Sequence, residues 1–62
     1  MKRFEAYMPG EGWKAWTASD TVKLTKVRNR VIVVSKVTEP EKKPYNMTTT
    51  FNLDNLAGYS IA

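Results

Sequence analysis

From Val31 to Val34 the chain runs Val-Ile-Val-Val, four β-branched residues in succession, and the flanking sequence adds Thr21, Val22, Thr25, Val27 and Thr38. Side chains branched at Cβ crowd the turns of a helix but sit comfortably on a pleated surface. The stretch Asp20–Val37 therefore reads as two β-strands joined at Arg28-Asn29. A helix capped by Asp20, with Leu24, Val27 and Val31 at helical spacing, is the rival reading, and the density of Val and Thr argues against it. Because Val31–Val34 is apolar on successive residues, both faces of that strand need cover, which makes it a central strand.

The connection between the two strands is too short for anything but a hairpin. Asn29 is the residue expected to take the left-handed backbone that tight turns demand. Two registers compete. A two-residue loop sets Leu24 opposite Val33 and Val22 opposite Ser35; a three-residue loop sets Val27 opposite Val31 and Leu24 opposite Val34. A slip of one residue turns a strand over, so the choice decides whether Lys23, Arg30 and Lys36 point outward together. The two-residue loop is the favoured register.

The remaining strands follow from alternation. Lys2–Met8 places Phe4, Ala6 and Met8 on one side, and Pro9-Gly10-Glu11-Gly12 then interrupts with turn residues. In Trp13–Ala18, Trp13 and Ala15 share one face and Lys14 and Trp16 the other, so a flat strand sends only one tryptophan into a core. Thr38–Pro44 carries charge and two prolines that cannot donate to a ladder, and reads as the longest loop. Tyr45–Leu53 alternates Tyr45, Met47, Thr49, Phe51 and Leu53 with Asn46, Thr48, Thr50 and Asn52, an uncharged polar face. Asp54–Gly58 is expected to form one helical turn ended by Gly58, followed by a short strand at Tyr59-Ser60-Ile61.

Sixty-two residues make one domain, spanning 1–62. A chain this short buries only about 60% of its unfolded surface. Five or six strands must curl to cover Phe4, Met8, Val22, Leu24, Val33, Met47, Phe51 and Ile61 from one side. The expected fold is all-β: a small antiparallel barrel or strongly bent sheet of SH3-like or OB-like size, with one helical turn near the C-terminus. The alternative is an open sheet that completes its core as a homodimer.

The sequence has no Cys and no His. Disulfides, zinc–thiolate sites, thiol nucleophiles and the usual general base are therefore excluded, and no metal site or cofactor is expected. Glu39 and Glu41 lack a partner that would make a catalytic pair, and no serine has a histidine to activate it. An enzyme is not expected. Gly10-Glu11-Gly12 lacks the spacing and lysine of a phosphate loop, and Asn46-Met47-Thr48 fits a glycosylation sequon with no secretion signal before it. The N-terminus meets Glu5 and Pro9-Gly10 before any apolar run, and no apolar run approaches the ~20 residues of a membrane span, so cytoplasmic residence without a membrane partner is expected.

The net charge is +4, and its placement is uneven. Lys23, Lys26, Arg28, Arg30 and Lys36 stand against Asp20 alone, while acids and bases balance over the rest of the chain. Cations projecting from a two-stranded ribbon neutralise phosphates and release counterions, giving nucleic-acid affinity without sequence specificity. Trp13 and Trp16 are the candidate stacking platforms for bases of DNA or RNA. A competing reading is a protein-interaction module, an inhibitor, adaptor or assembly protein of the kind compact phage genomes encode. It would dock through the edge strand Tyr45–Leu53 or through Tyr7, Trp16 and Tyr45.

Overall fold

The computed structural model describes residues 1–62 and contains six strands and one short 3₁₀ turn. In chain order they are β1 (Arg3–Met8), β2 (Gly12–Thr17), β3 (Val22–Val27), β4 (Arg30–Val37), β5 (Tyr45–Asn52), the turn Leu53–Asn55, and β6 (Tyr59–Ile61). They form two antiparallel three-stranded sheets, ordered β2-β1-β6 and β3-β4-β5. The all-β expectation holds, but the sheets do not close into a barrel. β6, only Tyr59–Ile61, pairs with β1 alone, and its other edge meets no strand of the second sheet. β2 and β3 approach one another at the Ala18–Thr21 connection.

The mid-chain hairpin adopts the two-residue loop. Val27 faces Arg30, Leu24 faces Val33 and Val22 faces Ser35. β4 is central between β3 and β5, as its apolar run required. Its inward residues Val31 and Val33 are buried, whereas Ile32 and Val34, on the other face, are half-buried. The turn differs from expectation in one detail. Arg28, not Asn29, has positive φ, at 56°. Asn29 is held instead by the β5 end: its Nδ2 donates to Asp54 Oδ2 at 2.6 Å, and its carbonyl accepts from the Leu53 amide at 2.8 Å.

The core is small: Phe4, Ala6, Val31, Val33, Phe51 and Leu53 are buried, with Met8, Trp16, Val22, Leu24 and Leu56 packed around them. Two expected core residues lie outside it, because the shorter first sheet covers only part of the second sheet's inner face. Met47 is 51% exposed and Ile61 37%. The C-terminal turn is also shorter than expected. Asn52 caps it, its Oδ1 accepting from the Asp54 amide at 3.0 Å, and it ends at Leu56, not Gly58. Gly58 has another role: its carbonyl accepts the Tyr7 amide at 2.9 Å, and a Cβ there would meet the Trp13 ring at 3.1 Å.

Candidate cationic sheet face and hairpin tip

Directly opposed residues of neighbouring strands share a face, so the register alone assigns the sides of the β3-β4-β5 sheet. Turned away from the core lie Lys36 with Asn46, Lys23 with Val34 and Thr48, Thr25 with Ile32 and Thr50, and Val27 with Arg30 and Asn52. Lys23, Arg30 and Lys36 thus project from one surface. From Lys36 to Arg30 it extends about 20 Å at ~3.4 Å per residue. No strand of this sheet contains an acidic residue. At one end, Lys23, Lys36, Val34 and Asn46 line a shallow groove with Thr21 and Asp20. At the other end is the hairpin tip, Val27–Arg30.

Lys26 belongs by register to the inner face, but near the tip it curls onto the turn, its Nζ donating to the Arg28 carbonyl at 2.7 Å. Arg28 stands on the turn itself. The five cations therefore divide into three on the sheet face and two at its end, and none is neutralised by an ion pair. The ion pairs of the structure are Arg3–Glu5 at 2.8 Å, Lys14–Glu11 at 3.2 Å and Lys42–Glu39 at 3.3 Å. Asp54, beside the tip, takes the Asn29 amide instead of a guanidinium.

The backbone of Arg28 costs stability, because a side chain with Cβ at positive φ is crowded where glycine is not. Arg28→Gly is expected to raise the unfolding free energy by about 0.5–1 kcal/mol, read from the urea midpoint.

The two tryptophans part company. Trp16 turns inward and stacks on Phe4 at 5.7 Å between centroids and against Phe51 at 5.0 Å. Trp13, 60% exposed, lies on the outer face of the first sheet, where it meets Tyr7 edge-to-face at 5.7 Å. That face points away from the cationic one, so the structure does not bring the tryptophans and the basic hairpin together. Tyr45 is at the start of β5, its hydroxyl donating to Glu39 Oε1 at 3.3 Å. Asn46, Thr48 and Thr50, which the sequence marked only as a polar face, become neighbours of Lys36, Val34 and Ile32 once β5 pairs with β4. The alternation of β5 was the available signal; its partner strand was not.

Comparison with protein-family models, with curated proteins and with solved structures found no match for this chain. No helix of the structure is long and apolar enough to cross a membrane.

Proposed function

We propose that the chain binds nucleic acid with little sequence selectivity, laying the phosphate backbone along the outer face of β3-β4-β5 and over the hairpin tip. The observation that carries this reading is a sheet with no acidic residue, bearing Lys23, Arg30 and Lys36 on one face and Lys26 and Arg28 at its end, all free of ion pairs. Cations without acidic partners are free to neutralise phosphates, and each phosphate neutralised releases counterions condensed on the nucleic acid. The ~20 Å length of the face matches several phosphates at about 3.4 Å per strand. Asn46, Thr48 and Thr50 add neutral donors, which position a backbone without reading sequence. Trp16 is taken up by the core, so the reading rests on charge and not on stacking.

Its test is fluorescence anisotropy of the nuclease-treated protein with labelled single-stranded and duplex oligonucleotides. The double variant Arg28→Glu with Arg30→Glu should bind more than about tenfold more weakly at physiological salt, since both phosphate contacts are lost. Equal affinity of variant and parent would rule the reading out. A second reading, docking of a protein partner, is favoured by the exposed Tyr7–Trp13 pair seated over Gly58. A protein captured from lysate after nuclease digestion, and lost in Trp13→Ala, would favour it.

A further inference from the structure

We propose that β5 is the seam of a homodimer, in which two copies pair their β5 strands antiparallel and merge their sheets into one of six strands. The molecule has four sheet edges, β2, β3, β5 and β6. Soluble β proteins guard such edges with charge, with inward-pointing lysines or by keeping them short. By register Lys14 on β2 and Lys26 on β3 lie on the inward sides of their sheets, and β6 is three residues long. β5 has none of these devices. It runs eight residues, Tyr45–Asn52, without a charge, a proline or a glycine.

Its backbone is open as well. The Lys36 amide donates to the Thr21 carbonyl, on the β3 side, at 2.8 Å. Alternation along β4 then turns Val31, Val33, Ser35 and Val37 toward β5, where they engage Phe51, Thr49, Met47 and Tyr45. The peptide groups of Asn46, Thr48 and Thr50 point the other way. No backbone hydrogen bond outside the ladder involves any residue of β5.

The inner face tells the same story in apolar area. Tyr45 and Met47 on β5, and Tyr59 and Ile61 on β6, share the inward side of their sheets with the core, yet each is more than a third exposed. The accessible surface is 4773 Å². A folded chain of 7.1 kDa is expected to show about 4,100 Å². The excess, roughly 700 Å², is close to the ~800 Å² that each partner of a standard interface buries.

An uncharged edge is the one a second copy of the same basic chain can share. Two chains of net charge +4 repel wherever their cations meet, and β5 is the long edge without any. A two-fold axis perpendicular to the sheet near Thr48 keeps inward residues inward, pairs Asn46 of one copy with Thr50 of the other, and sends Lys42 and Lys43 to opposite ends of the seam. The uncovered apolar residues of both copies then lie along one continuous floor.

Sedimentation equilibrium on the full chain after nuclease treatment, from low micromolar to millimolar concentration, tests this independently of nucleic-acid binding. The parent should sediment at twice its 7.1 kDa chain mass. Thr48→Lys, at an exposed side chain, sets two lysines together on the axis, and Thr48→Pro removes an outward amide without touching the bonds to β4. Both should sediment as monomers, with far-UV circular dichroism showing retained strands. If the proline variant is unfolded, the lysine variant decides. A monomeric parent, or a lysine variant that remains dimeric, overturns the proposal.

Discussion

Trp16→Ala is expected to remove a large share of the chain's folding stability and to lower its urea midpoint steeply. Trp16 reaches from the first sheet to within 5.0 Å of Phe51 on the second, and stacks on Phe4, which itself lies 5.4 Å from Phe51. These three rings are the main bridge between the sheets in a core of only six buried residues. Truncating a packed tryptophan to alanine costs about 3–5 kcal/mol. At 0.05–0.15 kcal/mol per residue, a chain of this length has a total of roughly 3–9 kcal/mol. No disulfide limits the loss. Far-UV circular dichroism across a urea titration reads the result. Trp13→Ala is the contrast: it removes an edge-to-face contact worth about 0.5–1.5 kcal/mol on the outer face and should leave the strands in place. If the two variants unfolded at the same urea concentration, the sheets would not be joined through Trp16.

The second large effect is on salt dependence. Five phosphate contacts per chain predict a slope of log affinity against log salt near −3.5 for single strands and −4.5 for duplex. Between 50 and 200 mM salt, binding should therefore weaken by a factor on the order of 10² to 10³. Each cation removed from Lys23, Arg30 or Lys36 should flatten the slope by about one, independently of oligonucleotide sequence. A slope near zero would mean that contact is made by neutral groups, and the outer face would lose its assigned role.

The site was half legible before any fold was known. That Lys23, Lys26, Arg28, Arg30 and Lys36 cluster is a matter of adjacency. That three of them share a face follows from the two-residue loop, because register and side-chain alternation are local properties of a hairpin. Their freedom from ion pairs was not legible, since Asp20 and Asp54 lie within reach in sequence or in space and the structure directs Asp54 to Asn29. The position of Trp13 was equally hidden: β2 has two faces, and only the packing of Trp16 against Phe51 decides which of them is inside.

What the order of residues determined by itself was the strand content, the mid-chain hairpin with a choice of two registers, and the concentration of charge there, for each depends on neighbours a few positions apart. The tertiary structure alone decided that the strands divide into two sheets, that β6 returns to β1, and that β5 is left as an open edge with Met47 and Ile61 uncovered. Those outcomes depend on pairings between distant segments. Their stability comes from area buried jointly by both partners, which neither segment encodes alone.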